Sequence, residues 1–239
     1  MLDLITAATA RDEARRDART AALPVGSFEQ HGEFLPLTTD TIVASAIARQ
    51  VAQTYSLMLL PPITYSCSHE HAAWRGTVSI SATTLYQLIF DVARSLEQSG
   101  IHHLVLVNGH GGNYVLSNVV QEYTAAHGPR MSLFPQSHDW IMARNDAGME
   151  TNNHDDMHGG ELETSLLLHV APDVVRPGNE TADWEASDRP HLLSLGMQAY
   201  TTSGIIGKPS LGTAEKGKAA LNSLTASFAS HLAAIHGNG

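Results

Sequence analysis

Four short apolar runs, each nearly continuous rather than alternating, constrain this chain more than any other feature: TAALPV at 20–25, SLMLLPP at 56–62, HLVLV at 103–107 and MSLFP at 131–135. A strand with one wet face alternates apolar and polar residues. A run that is apolar on both faces must be covered on both, as in a parallel sheet with helices on each side. The stretches between the runs carry helical spacing. Residues 40–54 set Ile42, Ala46 and Arg49–Gln50 at helical intervals, with Thr38, Thr39 or Asp40 available as a cap. Residues 83–98 put Leu85, Leu88, Ile89, Val92 and Leu96 on one face and stop at Gly100. Two more helices are expected near 113–127 and 160–170. Strand and helix in alternation predict an α/β fold, three αβα layers around a mainly parallel central sheet.

From about 172 to 212 the chain is rich in Pro, Gly, Ser and Asp and reads as an irregular excursion, before a final helix at about 214–236. No internal repeat or low-complexity linker divides it, so a single domain over 1–239 is expected. With 43% hydrophobic and 16% charged residues, a real core can form. The net charge is −10 and no basic block is long enough to grip phosphates, which argues against nucleic acid as a partner. Cys67 is the only cysteine, so neither a disulfide framework nor a thiolate metal cluster can form, and a reducing cytoplasm is the expected compartment. No apolar run approaches the roughly 20 residues of a membrane span. The first twenty residues carry Asp3, Asp12, Glu13 and Asp17 among their arginines, which suits a short amphipathic surface helix better than a targeting peptide.

In open α/β sheets, ligands bind beyond the carboxyl ends of the strands. Histidines and carboxylates just after the runs therefore matter most. After the first comes GSFEQHGEFLPLTTD, where Glu29 and His31 alternate and point the same way if extended, and Asp40 opens the next helix. Two carboxylates and an imidazole suit Zn²⁺, Mn²⁺ or Fe²⁺, although Asp40 is equally a natural helix cap. After the second run, YSCSHEHAAWRGTVS carries His69, Glu70 and His71. After the third comes NGHGGN, with His110 between glycines that let backbone approach a ligand; its spacing is not that of a dinucleotide loop. DMHGGELETS then brings Asp156 and His158 to a helix start, with Glu161 and Glu163 in its first turn, where the helix dipole also favours acids.

These segments, in this order, resemble the signatures of the creatininase family: LPVGSFEQHGEFLPLTTD, SHEHAAWRGTVS, NGHGGN, HGGELETS, and GIIGKPSLGTAEKG before the last helix. The resemblance runs from about residue 20 to 220. It implies a creatininase-like fold holding two divalent metal ions (Zn, Mn or Fe), with Glu29 and His110 on one, His31 on the other and Asp40 bridging. It further implies an amidohydrolase that attacks an amide through a metal-bound hydroxide, usually as a homo-oligomer such as a hexamer.

Creatininase itself has a ligating glutamate where this chain has Gly112, a departure that argues against creatinine. It places the sequence with the N-G-H-G-G-N branch, which includes a formylaminopyrimidine deformylase and a mycofactocin-precursor peptidase. Glu163, or less readily Glu161, would supply the missing ligand. His158 is the expected proton donor to the leaving nitrogen, with Asp156 or Glu161 orienting it. Gly111 and Gly112 amides are candidates for holding the oxyanion. His71 and Trp74 are expected to shape the substrate pocket, while Arg75 and Lys208 are read as solvent-exposed cations. A small-molecule amide, linear, cyclic or a formamide, is the expected substrate. A peptidase of a modified peptide, a metal-dependent isomerase and a silent binding subunit are the alternatives.

Overall fold

The computed structural model describes residues 6–237, and the chain order is helix α1 (Ala10–Arg16), strand β1 (Thr20–Val25), α2 (Thr39–Tyr55), β2 (Met58–Leu59), α3 (Ala82–Gln98), β3 (His103–Asn108), α4 (Val115–His127), β4 (Met131–Phe134), α5 (Ser137–Asp146), α6 (Glu161–Val170), α7 (Leu192–Leu195) and α8 (Ala214–His236). All four strands pair in parallel, in the order β2-β1-β3-β4.

The continuous apolar runs have the cause expected of them. Along β1 and β3, successive side chains enter opposite cores. Ala22, Val105 and Val107 pack with Ile47 and Val51 of α2, Leu166 of α6 and Phe228 of α8. Ala21, Leu23, Leu104 and Leu106 pack with Leu85 and Ile89 of α3 and Leu116 and Val119 of α4. These are the three αβα layers. Each fully buried Leu, Ile or Phe contributes about 1.5–3 kcal/mol of transfer free energy, so both helical layers are firmly seated.

Two expectations need adjustment. The run at 56–62 becomes only a two-residue strand, because Pro61 and Pro62 lack the N–H that a ladder needs. Its pairing continues irregularly, as Leu60 and Ile63 amides donate to the Ala22 and Pro24 carbonyls. Helix α5 was not expected. Its buried residues include Asp139 and Arg144 beside Ala143, so no apolar stripe announces it. The amphipathic helix expected within the first twenty residues is α1, which buries nothing; residues 1–5 lie outside the described residues.

Parallel strands send their connections to one edge. The segments after β1, β2 and β3 therefore meet beyond the carboxyl ends, which is where the candidate residues gather.

Candidate metal centre

The loop 26–38 leaves β1 and turns back into α2, and its path carries Glu29 and His31 to the sheet edge. Asp40 lies inside the first turn of α2 rather than capping it; Thr38 occupies the cap position. The Asp40 carboxylate is 1% exposed and turns toward two histidines. His110 reaches it from the loop after β3, and Gly109 makes this approach feasible. A Cβ on Gly109 would stand 2.4 Å from the Asp40 carbonyl oxygen.

The polar atoms converge in two adjoining groups. In the first, His110 Nδ1 lies 3.2 Å from Glu29 Oε1 and 3.1 Å from Asp40 Oδ2. In the second, His31 Nε2 lies 3.1 Å from Asp40 Oδ1 and 3.9 Å from Glu163 Oε2. Asp40 offers one oxygen to each. The other ring nitrogens are fixed by carbonyls: His31 Nδ1–H donates to Glu29 (3.1 Å) and His110 Nε2–H to Cys67 (2.9 Å). This is how ligand imidazoles are commonly oriented.

With the neutral His110 proton on Nε2 and given to Cys67, Glu29 Oε1 and Asp40 Oδ2 are buried and complete no hydrogen bond. Buried carboxylate oxygens are costly to leave so, and a cation satisfies them. The residues therefore fit a metal: Glu29, Asp40 and His110 form one group of possible ligands, and His31, Asp40 and Glu163 another.

Electrostatics agree. Burial disfavours charge on His31, yet Asp40 beside it, then Glu163 and Glu29, push its pKa up to about 9. Glu29 and Asp40 likewise overcome the burial of His110 and hold it well above the ordinary histidine value. Burial raises Glu163 to about 7 despite the pull of His31. Protons fill the positions that a cation would take.

His158 completes the cluster. Its Nε2–H donates to the Gln30 carbonyl at 2.7 Å, and its ring packs 4.1 Å from that of His31. Nδ1 then lies 3.8 Å from Glu29 Oε1. Burial, reinforced by His31 and His71, holds its pKa well below the usual value. The excursion at 172–212 anchors this residue, since the His158 and Ile206 backbones exchange hydrogen bonds in both directions.

Several expectations are corrected. Asp156 does not touch His158. Its carboxylate accepts from the Glu161, Leu162 and Lys208 amides and from Arg144. Glu161 turns away from the cluster; its oxygens take the Glu150 and Thr151 amides, the Thr151 hydroxyl and Lys216 Nζ. Its carboxylate is thus taken up by framework partners rather than by the histidines of the cluster.

His71 is buried within the cluster, 3.2 Å from Glu29 Oε1, rather than lining an open pocket, and burial lowers its pKa to about 4. Trp74 is half-buried behind it, with ring centroids 6.4 Å apart. Arg75 is exposed, and Lys208 pairs with Glu185 at the surface.

Gly111 lines a cleft of about 440 Å³ with His110, Glu163, Trp140 and Met157. Gly112 instead is buried against Glu70. A Cβ there would fall 1.9 Å from Glu70 Oε1 and 2.4 Å from His110 Nε2, so Glu70 fills the space a side chain at 112 would need.

Sequence reasoning missed Gln30. Its Nε2 donates to His71 Nδ1 and to the Gly204 carbonyl, and its own carbonyl holds His158. The alternation that singled out Glu29 and His31 turns Gln30 the other way, and only the enclosing excursion makes that side part of the site.

Among the described residues no helix is long and apolar enough to cross a membrane. The chain matches the creatininase family, described as creatinine amidohydrolase, over residues 4–232. It is 36% identical over 210 residues to a mycofactocin precursor peptide peptidase of Mycobacterium ulcerans, covering 82% of this chain and 77% of that one. It is 28% identical over 181 residues to a creatinine amidohydrolase of Pseudomonas putida, covering 66% and 69%. A crystal structure of creatinine amidohydrolase, 24% identical, shares the fold with a TM-score of 0.80 over 95% of both chains. With the family matched across nearly its whole length, this chain belongs to the creatininase family and is a hydrolase of amide-type C–N bonds.

Proposed function

We propose that this enzyme is a metal-dependent amidohydrolase with a centre for two divalent cations, one held by Glu29, Asp40 and His110 and the other by His31, Asp40 and Glu163. The observation that carries the reading is Asp40, a buried carboxylate whose two oxygens face different histidines, one of those oxygens having no donor. Ions bound there would supply a water activated near neutral pH and polarise the amide carbonyl. Solved creatininases include one described as Zn-Zn type and one as creatininase Mn, and the oxygen–imidazole set of this chain suits Zn, Mn or Fe.

His158 moves the proton. With Nε2–H committed to Gln30, the free lone pair sits on Nδ1, facing the cluster. A neutral resting imidazole takes the proton of the attacking water first and returns it to the leaving nitrogen. That order refines the plain donor role expected from the sequence. The backbone of Gly111, at the cleft wall, is our candidate to steady the carbonyl oxygen.

We favour a peptide-type amide as substrate. The identity to a peptide peptidase supports it, as does Gly112, which has no side chain where creatininase has a ligating glutamate and whose space Glu70 takes. A small-molecule amide is the second reading, supported by a cleft of about 440 Å³, the size of a small-molecule site.

Protein stripped with chelator and reloaded with Zn²⁺ or Mn²⁺ should be offered short peptides, a formamide and creatinine. We expect metal-dependent hydrolysis with the peptides preferred. Preference for the formamide or for creatinine selects the second reading, and no metal-dependent hydrolysis overturns the amidohydrolase centre itself.

A further inference from the structure

A second histidine–carboxylate cluster lies apart from the centre, where the start of α5 meets α8. Asp139 is 0% exposed and His231 6%. His231 Nε2 is 3.0 Å from Asp139 Oδ2, and His138 Nε2 is 3.2 Å from Asp139 Oδ1. The two imidazoles lie parallel, 6° apart in plane and 5.9 Å between centroids, on either side of the carboxylate. One ligand atom from each residue falls within 4.8 Å of the others.

Asp139 Oδ2 is satisfied by the Gln136 amide, so it needs no proton from His231. Oδ1 is buried and completes no hydrogen bond. Among the described residues, the buried carboxylate oxygens without a donor are Glu29 Oε1, Asp40 Oδ2 and Asp139 Oδ1, and each belongs to a histidine–carboxylate group. A plain Asp–His pair has no reason to leave such an oxygen bare, because its desolvation is uncompensated. A cation would compensate it.

We infer that His138, Asp139 and His231 form a further divalent-cation site, of a donor set suited to zinc, that ties α5 to α8. Its supporting contacts are in place. Ser132 Oγ lies 3.3 Å from His231 Nδ1, so it can accept the Nδ1–H and leave Nε2 free as a ligand. The His138 side chain is 60% exposed, which opens a path for the ion and room for water as the remaining ligand. Helix α5 also supplies Ser137, Trp140 and Arg144 to the wall of the cleft beside His110, so an ion here braces that wall from behind.

The test counts zinc. Chelator-stripped wild-type protein and His138→Ala are titrated with Zn²⁺ alone, with calorimetry and elemental analysis giving the stoichiometry. His138 is exposed, so the variant should keep its fold by circular dichroism. We expect His138→Ala to bind one zinc fewer per chain, lose part of the zinc-induced rise in Tm, and hydrolyse amide substrate as wild type does. An unchanged zinc count overturns the site. The same pair compared in an Asp40→Asn background separates this inference from the centre proposed above: the one-zinc difference should persist there, and its disappearance also overturns the site.

Discussion

Two buried acidic clusters lie side by side at the carboxyl edge of the sheet, and they differ in one respect. Around Asp156 and Glu161, every carboxylate oxygen is met: backbone amides cap α6 through Asp156, Arg144 pairs with it, and Lys216 pairs with Glu161. Around Glu29 and Asp40, oxygens face imidazole nitrogens and one another, and two of them have no donor. Glu161 and Glu163 sit two residues apart in the same helical turn, yet Glu161 turns to Lys216 and Thr151 while Glu163 faces His31 and takes the Gly159 amide. A saturated acid is part of the framework, while an unsatisfied one awaits a cation. Burial does not distinguish them; accounting for each oxygen does.

The comparison breaks first at Asp40. Asp40→Asn keeps the shape but removes a charge shared by both candidate ions. Replacing an outer partner of a metal ligand costs about 10–100-fold in affinity or activity, and loss of the shared ligand should exceed that. Metal content and turnover should fall together, measured on the same sample. Retention of both ions would remove Asp40 from the bridge. His158→Gln comes next. If His158 carries the proton rather than an ion, metal content should hold while kcat falls about 10²–10⁴-fold. Metal loss in that variant would instead make His158 a ligand, as its grouping with Glu29 and His31 allows.

The saturated cluster should respond in the opposite sense. Asp156→Ala strands Arg144, which is 5% exposed, and strips the α6 caps. Removing one partner of a buried ion pair costs about 3–5 kcal/mol of stability. Chemical denaturation should show that loss, while metal content and kcat per folded molecule stay near wild type. A variant of normal stability that lacked activity would move Asp156 into the site.

The sequence made the sheet legible because burial on both faces leaves a continuous apolar run, and β1 and β3 appear where such runs predict them. It made Glu29, His31, Asp40 and His110 legible because parallel strands deliver their following loops to one edge. Helix α5 stayed hidden because Asp139 and Arg144 are inside it, and the apolar periodicity that announces a helix is absent. The separate fates of Asp156, Glu161 and Glu163 were not legible for a related reason. Acids at a helix start share one local explanation, and only partners distant in sequence, Arg144 and Lys216, show which are spoken for. Gln30 was missed because its partners, His158 and Gly204, lie across 128 and 174 residues of chain.

The smallest effect that sharpens the comparison is a slope rather than a loss. In chelated protein, His31 has its pKa raised to about 9 from an ordinary 6.5. A raised folded-state value contributes stability that is fully present below 6.5 and is lost as pH rises through 9. His110, also raised, acts in the same direction, and Glu163, raised from 4.5 to about 7, loses its contribution mostly below that window. A cation needs these groups deprotonated, so the loaded protein has no such protons to lose. The Tm of chelated protein should therefore decline between pH 6.5 and 9 relative to that of zinc-loaded protein. Asp156 is bonded to Arg144 and the α6 amides rather than to these histidines, so Asp156→Ala should lower both curves without changing the gap between them. Parallel curves for chelated and loaded wild type would mean that protons do not hold the unsatisfied cluster together, and the distinction between the two clusters would then rest on geometry alone.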